Sequence, residues 1–383
     1  MARYHQLDSL RGLAALAVVV NHTLNVLPVF GGGALGSGWL YGLASSGPLH
    51  LFWAGHQAVV FFFVLSGFVL SLPFYKEQPG VAAFVIKRIC RICIPYWAAV
   101  LMAFMAFVWF SRGAIPELSV WLAGTWSKPI TAKVVAQHLF LVGNFENGHY
   151  NPALWSLVVE MRISLLFPLL MLCVTRLRWQ VSLLAVGMGC YALGRAGDWY
   201  SNHISAAPFD YGSTLMYGYM FIAGALLAKH ASAIGKRWRA LSPARRRAVF
   251  ALAVITYAYV FWLPARMQTT ASRIFGDFPT VAAICIFVVA ALNSNRLSAR
   301  LLNPSLVLLG KVSYSLYLLH GIVVLALVNA FYGRWPLGLI LVAVVPVSLV
   351  AAIVSYHLIE VPAIGLGRRL AVALGPRTVR PVE

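Results

Sequence analysis

Long apolar runs alternate with short polar, cation-rich breaks along the chain, ten times over. Each run is roughly 15–25 residues, and about 20 residues cross a bilayer as a helix. The runs predict spans near residues 11–30, 56–74, 92–110, 153–174 and 179–194, then near 211–228, 248–264, 278–292, 312–331 and 335–356. The fold class this pattern predicts is all-α, a polytopic membrane protein of about ten transmembrane helices. Residues 1–365 read as one membrane domain and residues 366–383 as a basic tail, with no internal repeat and no soluble domain between them. The first apolar run ends at Asn21-His22 without a small-residue cleavage site, so it is expected to stay in the protein as a span rather than leave as a signal peptide.

Composition sharpens this picture. Of 383 residues, 61% are hydrophobic and 10% charged, against about 25% charged in ordinary soluble proteins. So little polar surface excludes a soluble enzyme, a disordered tail protein and a secreted disulfide scaffold. The formal charge of +20 would suggest nucleic acid in a soluble chain. Here the cations sit in short loops, where membrane orientation accounts for them and no nucleic-acid partner is expected. With ten spans, 22 Lys and Arg fall on the side of the termini and 7 on the other, with Arg162 alone inside a span. That asymmetry predicts both termini in the cytoplasm. Two long outward loops follow, 31–55 and 111–152; an apolar stretch at 134–145 in the second suits a short interfacial or re-entrant helix.

Ionisable groups inside spans are costly and are functional candidates. Arg11 and His22 are eleven residues apart, which puts them on one helix face about 16 Å apart. By depth along their helices, His22, Ser66, Glu160 and His320 occupy one central slab. The bland alternatives are a snorkelling Arg11, a carbonyl-bonded His22, and a structural pairing of His320 with Glu160. Arg162 lies about 200° around the helix from Glu160, too far for a local ion pair. Lys87, Arg88 and Arg91 cluster at the cytoplasmic start of the third span, with Arg88 and Arg91 on one face. Paired guanidinium groups suit a phosphate-bearing ligand; topology signal and lipid headgroup contact are the alternative. The cluster from Lys236 to Arg247 reads as topology signal. Gly31, Gly33 and Gly36 fit GxGxxG without the strand and helix that such a site needs. Cys90 and Cys93 have no second pair, so no metal site is expected, and Cys173, Cys190 and Cys285 read with them as buried thiols.

Taken in order, these residues resemble the acyltransferase 3 family of integral membrane O-acyltransferases. Arg11 to His22 is similar to its R-X10-H signature, and Arg88-Ile-Cys-Arg91 to its cytoplasmic RxxR element. Phe61 to Phe68 resembles its second-span stretch and Leu154 to Glu160 its fourth-span stretch. Gly310 to His320 resembles its penultimate span, and Glu360-Val-Pro362 its final ExP. His56-Gln57 and Arg162 depart from the family pattern.

The resemblance implies ten spans in the inner membrane and transfer of an acyl group, usually acetyl, from acetyl-CoA as co-substrate, with no bound cofactor. It implies a sugar or glycolipid acceptor, a cell-surface glycan precursor, or in some members a macrolide. Any extracytoplasmic transferase or esterase partner would be a separate protein. In the mechanism expected from these roles, Lys87, Arg88 and Arg91, helped by Arg11, hold the CoA phosphates. His22 acts as general base or acyl relay, Glu160 orients it, and Ser313, Tyr314 or an amide supplies an oxyanion donor; Ser66 and His320 are further oxyanion or acceptor contacts. The rival class is a transporter or flippase for an anionic lipid-linked sugar, for which the same cations and midplane polar groups would serve passage.

Overall fold

A computed structural model of the chain describes residues 4–31, 47–76, 80–203, 211–263 and 265–374. Gly33 and Gly36, most of the 31–55 loop and the end of the basic tail lie outside the described residues. No β-strand occurs among the described residues. Where water is scarce, backbone groups must be satisfied within the chain, and helices do this within one segment. The chain opens with α1 (His5–Leu24), α2 (Gly55–Ser71) and α3 (Val81–Phe110). Two short helices, α4 (Val120–Gly124) and α5 (Ala132–Leu139), precede α6 (Leu154–Arg176). Then come α7 (Met188–His203), α8 (Tyr211–Lys229), α9 (Ala231–Ala240), α10 (Pro243–Tyr257) and α11 (Ala265–Phe275). The last are α12 (Phe278–Asn293), α13 (Asn295–Leu301), α14 (Pro304–Phe331), α15 (Leu337–Ser355) and α16 (Val361–Ala373).

Every predicted run overlaps one of these helices. Among the described residues, four helical stretches are long and apolar enough to cross a membrane: Val81–Phe110, Leu154–Arg176, Pro304–Phe331 and Leu337–Ala373. The bent pair Phe278–Asn293 and Asn295–Leu301 makes a fifth if counted as one span. An apolar belt surrounds them, with Trp109 76%, Val342 72% and Leu358 71% exposed. Surfaces of that kind mark contact with lipid or protein. Two of the differences from the expected boundaries bear on the site. α3 begins eleven residues before the expected 92, because Arg88 and Cys90 turn inward and continue its buried face. A π-helical turn at Tyr356–Glu360 joins α15 to α16, so helix runs past residue 366 to Ala373, with Gly367 packed on Cys90 of α3.

α1 and α14 run parallel as the central pair. Ser9 Oγ donates to Leu301 O at 2.5 Å. Three residues on, a Cβ on Gly12 would sit 2.7 Å from Gly310 N, so only glycine lets the two backbones approach this closely. The end of the bundle holding the start of α1, Arg88 and Lys311 is called the basic end below.

The 111–152 segment enters from the opposite, far end. Tyr96 hydroxyl and His138 Nδ1 on α5 are 2.8 Å apart, and Tyr96 lies 14 residues, about 21 Å, inward of Phe110. Asn151 Nδ2 donates to Leu318 O at 2.7 Å, about 20 Å inward of Phe331. The segment is therefore re-entrant. At that depth its buried polar side chains, His138 and Asn151, are bonded to the flanking helices. Nearer the surface, His149 Nε2 accepts from the backbone N–H groups of Ser127 (3.1 Å) and Lys128 (2.9 Å). An imidazole nitrogen can accept only when unprotonated. Burial, with Lys128 adding to it and Glu146 opposing, holds His149 below the usual imidazole range. A lowered folded pKa contributes stability above the unfolded value of about 6.5, lost as pH falls through the folded value. Limited proteolysis of 111–152 is therefore expected to accelerate as pH drops below about 6.5, and less so in His149→Gln; a pH-independent rate would exclude this role.

Candidate active site

A cavity of about 380 Å³ opens at the basic end between α1, α2, α3, α6, α14 and α16. Arg11, Arg88, Arg91, Lys311 and Arg368 bring five cations to its wall, and Asp8, Glu160 and Glu360 three carboxylates. These groups are not equivalent. Arg11 Nη1 lies 3.5 Å from Asp8 Oδ1. Arg88 is buried and donates from Nη2 to Glu160 Oε1 at 2.7 Å and to Ser164 Oγ at 3.1 Å. Glu360, in the π-helical turn, accepts from Ser315 Oγ at 2.7 Å. Among the described residues no carboxylate bonds Arg91, Lys311 or Arg368, which leaves these three cations available to an anion. Lys87 is exposed and stands outside the cavity wall.

Toward the far end the cavity lining includes a hydroxyl pair, Tyr317 and Ser156, whose oxygens are 2.6 Å apart, with Phe62 edge-on to the Tyr317 ring. One helical turn beyond Tyr317 is His320, and there the two midplane histidines meet: His22 Nδ1 lies 2.8 Å from His320 Nε2. The network sets their tautomers when both rings are neutral. His320 Nδ1 faces Leu316 O at 3.1 Å, and a carbonyl only accepts, so Nδ1 carries the proton. His320 Nε2 then accepts the Nδ1–H of His22. The remaining lone pair is on His22 Nε2, which no described residue bonds. Trp121, on α4 of the re-entrant segment, covers this ring at 5.4 Å between centroids. Ser119 holds α4 there, its Oγ donating to Asn25 O and its N–H to Val26 O.

The central slab read from the sequence thus divides into two groups. His22 pairs with His320, whereas Ser66 and Glu160 line the cavity, Ser66 Oγ donating to Glu160 Oε1 at 3.2 Å. The expected His22–Glu160 contact is absent because Arg88 reaches Glu160 first, and the alternative pairing of His320 with Glu160 is absent too. Ser313 and Tyr314 line the cavity, yet their hydroxyls already donate to Gly310 O (2.9 Å) and Ile92 O (3.2 Å). The Tyr317–Ser156 pair is the hydroxyl feature that sequence reasoning passed over, although both residues lie in stretches singled out there. Lys311, Arg368 and Glu360 were visible only as topology charges or motif members. Both departures from the family pattern are anchors. His56 Nε2 and Asp277 Oδ1, 2.7 Å apart, join α2 to the start of α12. Arg162 donates to Val142 O, Gly143 O and Thr214 Oγ1 and stacks on Tyr211, clasping the re-entrant segment.

Removing one member of a buried ion pair leaves the other charge unpaired, at about 3–5 kcal/mol. Arg88→Ala is expected to lower the unfolding midpoint markedly, and Arg88→Ala/Glu160→Ala to recover part of it. A loss in the double variant equal to the sum of the losses in Arg88→Ala and Glu160→Ala would show that the pair is uncoupled.

Comparison with known proteins gives the chain a family. The family described as an acyltransferase domain matches residues 4–357. Proteins of Staphylococcus aureus strains COL and MW2, each bearing the name "Putative O-acetyltransferase", are 22% identical over 93% of this chain and 56% of their own length. The chain thus spans little more than half the length of these curated relatives. No solved structure matches it. With the family's domain covering nearly all of its length, the chain belongs to the acyltransferase 3 family.

Proposed function

We propose that this protein is a membrane O-acyltransferase, moving an acyl group, most simply acetyl, from acyl-CoA to a hydroxyl of a sugar in a cell-surface glycan or glycolipid. One observation carries the reading: a histidine pair with a bare Nε2 stands one helical turn beyond Tyr317 in the lining of a cationic cavity. The basic end then faces the cytoplasm, with ten spans, both termini on that side and the inner membrane as location. The 22-to-7 distribution of Lys and Arg supports this orientation.

In this reading Arg91, Lys311 and Arg368 take the phosphates of CoA, with Arg11 beside them and Arg88 holding the wall through Glu160. The pantetheine arm runs along α1 for about 16 Å, the rise from Arg11 to His22. His22 Nε2 removes the proton of the acceptor hydroxyl as its oxygen bonds the thioester carbonyl carbon. The tetrahedral intermediate then collapses with cleavage of the C–S bond, and the imidazolium returns its proton to the departing CoA thiolate. His320 accepts the Nδ1–H of His22 throughout, which holds the ring and stabilises its charged form, the part a carboxylate plays in other His-based sites. Tyr317, by turning its hydroxyl from Ser156, is the donor best placed for the developing oxyanion.

General-base catalysis contributes about 10²–10⁴-fold. His22→Ala should lose most transfer. His320→Phe should lower kcat by about 10²-fold, whereas His320→Gln, whose amide oxygen still accepts the Nδ1–H, should keep a larger share; equal loss in both would remove His320 from the mechanism. Acetyl-CoA binding to purified protein in nanodiscs tests the donor site without knowledge of the acceptor. Saturable binding is expected, weakened about tenfold or more by Arg91→Ala/Lys311→Ala, since each charge-assisted hydrogen bond is worth about 1.5–3 kcal/mol. Absence of binding in folded protein would overturn the donor assignment and favour the transporter reading.

A further inference from the structure

Among the described residues two rings lie against His22, His320 at 4.9 Å between centroids and Trp121 at 5.4 Å. The first is its hydrogen-bond partner; the second is packed on it without one. His22 is partly exposed yet lines no part of the cationic cavity, so the solvent that meets it does not come through that cavity. Trp121 is carried by a strap tied at both ends. At one end Arg112 donates its backbone N–H to Asn329 Oδ1 (3.4 Å) and its Nη2 to Ala330 O (2.9 Å). At the other, Trp126 Nε1 donates to Tyr150 O at 3.0 Å. Between these ties Leu118, Ser119 and Leu122 are buried, whereas Ala123 and Gly124 are exposed and Val120 is 67% exposed. The strap is therefore one short helix thick, with its inner face tethered to α1 through Ser119.

An imidazole that takes the proton of a sugar hydroxyl can take that of water too. In that side reaction the water oxygen bonds the thioester carbonyl carbon and the C–S bond breaks. The proton passes through His22 to the CoA thiolate, and the products are the free acid and CoA. The histidine pair does not by itself distinguish the two hydroxyl sources. We infer that Trp121 sets transfer against hydrolysis: the indole, held on His22 by the Ser119 tether, screens the imidazole from water until an acceptor displaces it. Excluding water from a site suppresses such side reactions. An acceptor large enough to pack against the displaced indole restores the contact that is lost, and a water molecule does not. This inference rests on the acyl-transfer reading above. Trp121 acts through His22 and is a positioning residue.

Release of CoA from acetyl-CoA with no acceptor present, quantified by chromatography on the purified full chain in nanodiscs, tests it. The unaltered protein should release CoA slowly. Trp121→Ala should speed release about tenfold or more, since the burial that holds so large a side chain in place no longer opposes access. Trp121→Phe, which keeps a ring on His22, should stay closer to the unaltered rate. Trp121→Ala/His22→Ala should fall back to the rate of His22→Ala alone. Ser119→Ala keeps the indole but frees α4 from Asn25 O, so it too should speed release, and it serves where Trp121→Ala does not fold. A gain in rate is not what a merely damaged site gives. Acetyl-CoA binding marks folded protein in each variant. Binding with unchanged or slower release in both Trp121→Ala and Ser119→Ala overturns this inference and leaves the acyl-transfer reading standing; faster release that survives His22→Ala overturns it as well. No binding by the unaltered chain would overturn the acyl-transfer reading, and this inference with it.

Discussion

The site rests on the register of two parallel helices. Gly12 of α1 meets Gly310 of α14 with no room for a side chain on either. Ten residues further along each helix stand His22 and His320, and because the helices run parallel with the same rise, the imidazoles arrive side by side. The equal spacing is what converts a backbone contact near the basic end into a hydrogen bond near the middle of the bundle. A one-residue slip would rotate one ring by about 100° and break the pair.

Burial decides how the remaining polar groups divide. A carboxylate in a dry bundle needs a partner, and Glu160 finds it in Arg88, which is itself bonded to Ser164. That choice takes Glu160 out of reach as a partner for His22 and turns Arg88 into part of the cavity wall. Arg91, one turn along α3, remains available, as do Lys311 of α14 and Arg368 of α16. The cavity so formed is cationic at its mouth and ends in neutral hydroxyls, a gradient suited to a ligand with a charged head and a thin neutral arm.

The far side is shaped by the re-entrant 111–152 segment. Its polar groups reach about 20 Å into the bundle, where Tyr96 and Leu318 O receive His138 and Asn151. Arg162 clasps its end through two carbonyls, and Trp121 is carried onto His22. The histidine pair is therefore bracketed by Tyr317 on the cavity side and Trp121 on the other.

The sequence by itself determined the all-helical class, because apolar run length and backbone satisfaction in lipid leave few alternatives. It also singled out candidates for the site: Arg11, His22, Arg88, Arg91, Glu160 and His320 were all legible as ionisable groups in or beside apolar spans. Depth along a helix follows from residue count, so the common level of the two histidines was legible too. Lateral partnership was not, since residue count along one helix does not say which helix stands next to it. Only the tertiary structure decided that His22 meets His320 while Glu160 meets Arg88. It also turned Lys311 and Arg368 from topology charges into cavity wall, and folded a polar loop back onto the site. These outcomes depend on helix packing and on competition among buried polar groups for one another, neither of which is a property of any single stretch of chain.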